Sequence, residues 1–568
     1  MTVCRYRSGS YKYSSGRKVY IKLTIPEFNL LHLALPEMNL SYMQGNMSID
    51  QAFLMAVQFH QKGDYQEAEW IYQQILKVQP THYLSLGNLG LISAQLKKNE
   101  EAQQYLSQST AINSNYYEGH TNLGNLHFNQ GQYEAAVEAY KKALSISPND
   151  AEVWSNLAAT YLRMEKDEES IICYQKAIEI NPKRADLHNA LGDCYYILKM
   201  YKNAIKSYHN SLRINPNQIK YCHNLGYAYQ NLGKHSEAIK YYQKALNIDP
   251  KNISLHVNLA TALLLTKDFK NGWVEYEWRR KLDQYRKFSY KDFTPGKKIE
   301  GKSILIYAEQ GIGDTIQFMR FIPLIENAAG DITFLCPKPL QLLLEDWCLF
   351  SDRVKIISEY ETMAKYDFCL PLMSLPYVLG IGGISEIPIA FPEQFSTDSS
   401  RMADFKKIGS GIDLKVGIVW AGNPNHVRDN QRSISLVQLN PLFNLPSCTF
   451  FSLQVGDARN ELYQKKNLHF STSIEDCGQD FGNFWDTAKI ISKLDLVVSV
   501  DTAVAHLSAT MNKPTWIMIS ANPDWRWLLN CNSSPWYPSV RLFRQKELGD
   551  WEQVISDIRK QILKKREK

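Results

Sequence analysis

The residues best suited to chemistry fall in three short stretches of the second half of the chain. Residues 309–314 read EQGIGD: Gly311 and Gly313 permit a tight turn and close approach of a ligand to the backbone, and Asp314 opens a helix pattern. The stretch is not G-x-G-x-x-G and lacks the lysine of a phosphate-binding loop. A carboxylate in this place also fits a helix N-cap. Residues 498–504 read VSVDTAV, a strand ending at Asp501 and a helix opening at Thr502 and Ala503. Free N–H groups and the positive helix end make a seat for a pyrophosphate. Asp501 there would accept from sugar hydroxyls and Thr502 donate to a phosphate oxygen, although Asp501 also reads as a plain cap. His506, one turn in, suits a core position and a ligand contact equally. Residues 421–436, AGNPNHVRDNQRSISL, put the guanidinium of Arg432 within reach of a diphosphate, with Arg428 the weaker candidate. Beyond them, Trp525, Trp527 and Trp536 read first as packing and second as sugar-stacking surfaces.

These stretches need a frame. Apolar runs at 303–308, 331–336, 353–358 and 366–372 predict strands, with a helix pattern at 315–328. After an Asp/Ser/Lys-rich stretch at 396–411 the alternation restarts. Strands are expected at 416–422, 449–455, 494–500, 515–520 and 540–545, and helices around 484–493, 503–511 and 550–565. Strand–helix alternation twice over predicts two doubly wound, Rossmann-like α/β lobes. Ligands of such sheets bind beyond the carboxyl ends of the strands. The three stretches follow strands, so the expected site is the cleft between the lobes.

The first half is repetitive. Pro80, Ser114, Pro148, Pro182, Pro216 and Pro250 recur every 34 residues, with units starting near residues 49, 83, 117, 151, 185, 219 and 253. A fixed step of this size marks stacked helix pairs, an α-solenoid. Position eight is small throughout, and position 24 is Tyr72, Leu106, Tyr140, Tyr174, Tyr208, Tyr242 and Tyr276, expected as a plug between successive units. The pattern resembles the tetratricopeptide repeat, about seven of which cover 49–286. Position six reads Asn88, Asn122, Asn156, Ala190, Asn224 and Asn258. On a concave face these amides would bind the backbone of an extended peptide. The repeat arm of O-GlcNAc transferase carries a similar ladder, and ordinary repeats carry asparagine here too.

The Gly311–Ile312–Gly313–Asp314 loop and the Asp501–Thr502 segment with His506 and Leu507 resemble paired motifs of the heptosyltransferase-like, GT-B glycosyltransferases, over about residues 302–568. The resemblance implies Asp314 as catalytic base. It implies a nucleotide-sugar donor held by Gly311, Gly313, Asp501, Thr502, Ala503 and His506, with Arg432 where the family places a lysine. The first lobe is shorter than that of a lipopolysaccharide heptosyltransferase. The combination with repeats looks more like bacterial repeat-plus-transferase proteins that act on proteins. No D-x-D triplet occurs, so neither a metal nor another cofactor is expected. The expected activity is inverting transfer of a sugar to a hydroxyl of a protein acceptor. Two alternatives stay open: a glycan or lipid-linked acceptor with the repeats recruiting partners, and a scaffold with an inactive transferase fold.

Composition bounds the rest. The 568 residues are 44% hydrophobic and 21% charged, usual for a globular chain of two or more domains. The net charge of +6 is concentrated at the ends: residues 1–48 carry +4 and 559–568 carry +5, which leaves a slightly acidic body. That argues against a nucleic-acid partner. The ten cysteines show no C-x-x-C pair and read as core residues of a reducing, cytoplasmic compartment. No stretch predicts a membrane span, and Pro26, Glu27, Pro36 and Glu37 interrupt the only apolar run near the start. The expected division is an N-terminal extension at 1–48, disordered or ahead of the true start; repeats at 49–286; a connector at 287–301; a first lobe at 302–411; and a second at 412–568.

Overall fold

The computed structural model describes residues 48–282, 288, 295–296, 298–326, 329–347, 350–359, 365–388, 413–426, 428–464 and 474–566. The expectations for residues 1–47, for most of the connector and for the stretch 396–411 lie outside the described residues. The chain divides into two compact units, Met1–Leu225 and Gly226–Lys568.

In the first unit, paired helices begin at Ile49, Tyr83, Tyr117, Ala151 and Ala185, as the spacing predicts. A β-carbon on Gly124 would lie 2.6 Å from the Tyr140 ring, and one on Gly192 2.5 Å from the Tyr208 ring. The bulky residue at position 24 thus seats on position eight of its own unit, while the Tyr140 hydroxyl shares Asn125 Oδ1 with Asn156 of the next unit, which is the expected place between successive units. The residue at position four makes a recurrent contact. His120 Nε2 stands 3.1 Å from the Ser114 carbonyl, Trp154 Nε1 donates to Pro148 O at 2.9 Å, and His188 Nε2 is 3.0 Å from Pro182 O. An indole nitrogen can only donate, so the imidazoles in the same geometry carry their proton on Nε2. Each ring donates to the carbonyl of the turn residue that lies just past the C-cap of the preceding helix.

The second unit begins inside the repeats and includes both sheets. Its last full repeat helix, Ile253–Leu265, is followed by Phe269–Tyr276 and a 3₁₀ turn at Glu277–Lys281. Leu264, Phe269, Trp273 and Tyr276 are buried in one apolar cluster with Phe318, Trp525 and Trp536. Arg279 is fully buried and bonds Glu309 at 2.6 Å, Glu277 at 2.8 Å and the Ser374 hydroxyl at 2.9 Å. A buried guanidinium is tolerated only with partners of this kind. It ties the end of the repeats to Glu309, at the head of the Gly311 loop.

The first sheet holds β1 (Ile304–Tyr307), β2 (Ile332–Leu335), β3 (Val354–Ile357) and β4 (Phe368–Pro371), ordered β3-β2-β1-β4. The second holds β5 (Leu414–Val419), β6 (Cys448–Ser452), β7 (Ile474–Asp476), β8 (Leu496–Val500), β9 (Thr515–Ile519) and β10 (Val540–Arg544), ordered β10-β9-β8-β5-β6-β7. All pairings are parallel. Counted from its own first strand, the second sheet runs 6-5-4-1-2-3, the order of a dinucleotide-binding fold, with its switch point between β5 and β8. Strands covered on both faces are nearly continuous apolar runs, as in LVVSV of β8, all five residues of which are buried and of which only Ser499 is polar. The helix Glu552–Arg566 closes one face of this sheet through Val554, Ile555, Ile558 and Ile562. Among the described residues, no helix is long and apolar enough to cross a membrane, and no cluster of three His, Cys, Asp or Glu residues could hold a metal ion.

Candidate functional site

A cavity of about 1180 Å³ lies within the second unit, against the carboxyl ends of both sheets. Its walls are the loops after β1, β5, β6, β8 and β9, joined by Val257, Thr261 and Tyr276 from the last repeat. Gln454 fixes one wall. Its Oε1 accepts from the N–H groups of Trp420 (3.1 Å) and Ala421 (3.0 Å), and its Nε2 donates to the carbonyls of Ala421 (3.1 Å) and Val455 (2.9 Å).

Gly311 is the N-cap of the helix Ile312–Phe318, and Asp314 Oδ2 accepts the Gly311 N–H at 2.9 Å. Asp314 is thus not the N-cap itself, as the sequence suggested, but the third helical residue, whose carboxylate reaches back to the cap with one oxygen. Oδ1 accepts from Arg526 Nη2 at 2.5 Å, and Arg526 Nη1 donates to Asp524 at 2.7 Å while its guanidinium rests over Trp525. Burial raises the proton affinity of Asp314 above the ordinary carboxylate range, against the pull of Arg526. Burial opposes charge on Asp524 too, yet Arg526 and its own N–H hold that carboxyl below the usual range.

Gly313 serves the fold as well as the cavity it lines. A β-carbon there would stand 3.0 Å from His506 Cδ2 and 3.5 Å from Ala503 Cα, so this glycine lets the helix starts of the two lobes meet. Asp501 is raised to about 6 by burial and then by the neighbouring charge of Asp524, with Arg432 and Arg526 opposing. His506 is lowered to about 3, first by burial and then by Arg526 and Arg320, so it is neutral. Its Nδ1 lies 2.9 Å from the Tyr537 hydroxyl, its ring stacks on Trp527, and Nε2 is 3.9 Å from Asp501.

Thr502 caps the helix Ala503–Thr510, accepting from the Ala505 N–H. Ser499 Oγ donates to Val500 O at 2.7 Å, so the Thr502 hydroxyl, 3.0 Å from Ser499 Oγ, directs its own proton there. Thr502, Ala503 and Val504 all line the cavity, so the opening turn of this helix faces it with both a hydroxyl and backbone N–H groups. Arg432 also lines the cavity, with Nε 3.2 Å from Asp429 and its guanidinium packed against Gly422. Trp525, Trp527 and Trp536 are buried, Trp525 and Trp536 against Phe318, which is the packing role.

The position-six asparagines are largely withdrawn from solvent. Asn88 and Asn122 are 1% and 0% exposed. The buried Asn156 donates to Asn125 Oδ1, which also accepts from Tyr140. Asn224 donates to Asn189 and Asp193 of the preceding unit. The bonds of Asn156 and Asn224 run from one repeat to the next, whereas the Asn88 and Asn122 amides are buried with no hydrogen-bond partner among the described residues; an open ladder was expected. Asn224 and Asn258 remain partly accessible. At the cavity, the last repeat presents its fifth and ninth positions, Val257 and Thr261, in place of Asn258.

The reading from sequence missed Arg526 and Asp524. The stretch NPDWRW was read for its tryptophans; Asp524 and Arg526 alternate with them, and nothing local marks either as a partner of Asp314.

Comparison with known proteins agrees with this layout. Tetratricopeptide repeat models match residues 83–116, 151–184, 185–218 and 219–252, and a further repeat model matches 124–165. The model of glycosyltransferase family 9 (heptosyltransferase) matches residues 483–521, the segment that holds Asp501, Thr502, Ala503 and His506. The chain carries tetratricopeptide repeats followed by a heptosyltransferase-like segment. Protein FlbA of Caulobacter vibrioides is 25% identical over 327 residues, which are 53% of this chain and 53% of that protein. The chain thus spans about half the length of this curated relative. Among solved structures, the C-terminal part of a repeat-containing protein from Cytophaga hutchinsonii is 17% identical, covering 41% of this chain and 96% of its own, with a TM-score of 0.38. MamA is 25% identical, covering 30% and 92%, with a TM-score of 0.29.

Proposed function

We propose that the chain is an inverting GT-B glycosyltransferase that moves a sugar from a nucleotide donor to a hydroxyl of a protein. The observation that carries this reading is the meeting of Asp314 from one lobe with Asp501 and the Ala503 helix start from the other, in one cavity at the strand ends. The diphosphate would lie on the N–H groups of Ala503 and Val504 and on Arg432, and Asp501 would receive sugar hydroxyls. Asp314 would take the proton of the acceptor hydroxyl as its oxygen bonds to the anomeric carbon. The bond from that carbon to the diphosphate breaks, and its electron pair leaves with the nucleoside diphosphate. One displacement with one base inverts the anomeric centre. The acceptor side would be the wall of Val257, Thr261 and Tyr276, with the repeats binding the rest of the acceptor protein.

The test is a thermal-shift screen of the full chain against nucleoside diphosphates and nucleotide sugars. A ligand that binds only the folded state raises the melting temperature by mass action. A shift confined to one nucleotide family is the expected result, followed by turnover that Asp314→Asn abolishes. No shift with any of them counts against the transferase reading.

A further inference from the structure

The contact that joins the proposed base to the opposite lobe has a role of its own to explain. Each oxygen of Asp314 is already engaged: Oδ2 accepts from the Gly311 N–H and Oδ1 from Arg526. Arg526 is shared with Asp524, and Asp501 lies close enough to feel its charge. Asp314 and Asp524 therefore share one buried guanidinium, whose Nε has no partner among the described residues, and Asp501 lines the same cavity. A diphosphate entering this cavity adds further negative charge within reach of Arg526 as well as Arg432, since both line it.

We propose that Arg526 is a positioning residue that restrains Asp314 until a nucleotide sugar arrives, then shifts its charge to the donor diphosphate and so frees Asp314 to act as base. This rests on the transferase reading above. Once Arg526 turns to the phosphates, Asp314 keeps its cap on Gly311 but loses its counter-ion. A buried carboxylate without a counter-ion binds a proton more strongly, which is what the acceptor step requires. Catalytic power at Asp314 would thus exist only when the leaving group is in place, and the donor would bind first.

Because coupling is reciprocal, whatever the diphosphate takes from the Asp314–Arg526 pair, the pair takes from diphosphate affinity. The test measures the Kd of the full chain for whichever of ADP, CDP, GDP and UDP gives the largest thermal shift. Asp314→Asn retains an oxygen for the Gly311 N–H but gives up its hold on Arg526, and should bind that diphosphate at least about fivefold more tightly than the wild type. Arg526→Gln should bind it more weakly by a similar factor or more. A purely structural role for the pair would leave affinity unchanged or lower it in both variants, and that result overturns the proposal. Steady-state kinetics of the wild type give a second reading independent of any variant: ordered addition with the donor first is expected, and random order overturns the proposal. If no diphosphate binds wild type or variant, the transferase reading falls and takes this inference with it. Binding without tightening in Asp314→Asn removes the restraint alone.

Discussion

Gly313 of the first lobe and His506 of the second stand so close that a β-carbon on the glycine would come within 3.0 Å of the imidazole Cδ2. His506 has no room to retreat, since it is 4% exposed, stacked on Trp527 and bonded to Tyr537. Gly313→Ala should therefore separate the two helix starts. A cost of about 1–3 kcal/mol in stability is expected from overpacking, with a larger relative loss in turnover because both motifs of the site shift. Paired measurements of Tm and initial rate check this; a normal rate in a destabilised protein would detach the contact from the site.

Asp501 should make the protein less stable as pH rises. Its folded value of about 6 lies above its ordinary one, so the native state holds the proton more tightly and stability falls between about pH 4 and 6. The facing charged groups are Asp524, Arg432 and Arg526; His506 stays neutral in the native state here but protonates on unfolding, an opposite slope that cancels when variant and wild type are compared at one pH. Asp501→Asn should accordingly raise Tm by several degrees at pH 7.5 and hardly at all at pH 4. A shift of roughly two units corresponds to about 3 kcal/mol at most. Thermal melts across this range decide it, and an equal effect at both pH values would assign the gain elsewhere.

Arg432→Ala should weaken binding of a nucleoside diphosphate by about 10- to 100-fold, the usual worth of a charge-assisted hydrogen bond. The corresponding nucleoside, which has no phosphates, should bind as before. Equal losses for the two ligands would mean that Arg432 shapes the loop above Gly422 and does not meet the phosphates.

A fragment of residues 302–568 should fail to fold, whereas 217–568 should melt cooperatively. Removing the last repeats strips Phe269, Trp273 and Tyr276 from the core they share with Phe318 and Trp525, and leaves Glu309 without Arg279. Breaking a buried pair in this way costs about 3–5 kcal/mol before any apolar loss is counted. Circular dichroism melts of the two fragments separate these outcomes.

The sequence was most legible where its signals are local. The 34-residue step set the helix starts at Tyr83, Tyr117, Ala151, Ala185, Ile219 and Ile253 without error, because proline and the small residue at position eight act within one turn or one pair. The apolar strands were equally plain, apart from β7, whose three residues lie at a sheet edge and form no apolar run. Spacing showed that Asn88, Asn122 and Asn156 share a helix face, but not how completely neighbouring side chains would cover it. Arg526 was invisible for another reason. Its meaning depends on Asp314, 212 residues earlier, and no local pattern records a pairing across two lobes.

The ring-to-carbonyl contact at position four suggests how such repeats vary. His120, Trp154, His188 and His256 all point a ring nitrogen at the residue six places earlier, although hydropathy treats the two amino acids as opposites. Of the seven units, four carry this donor and three carry Ala52, Leu86 and Cys222 in its place, so within this chain histidine and tryptophan are synonyms as donors at that reach, and the contact is one a repeat can do without.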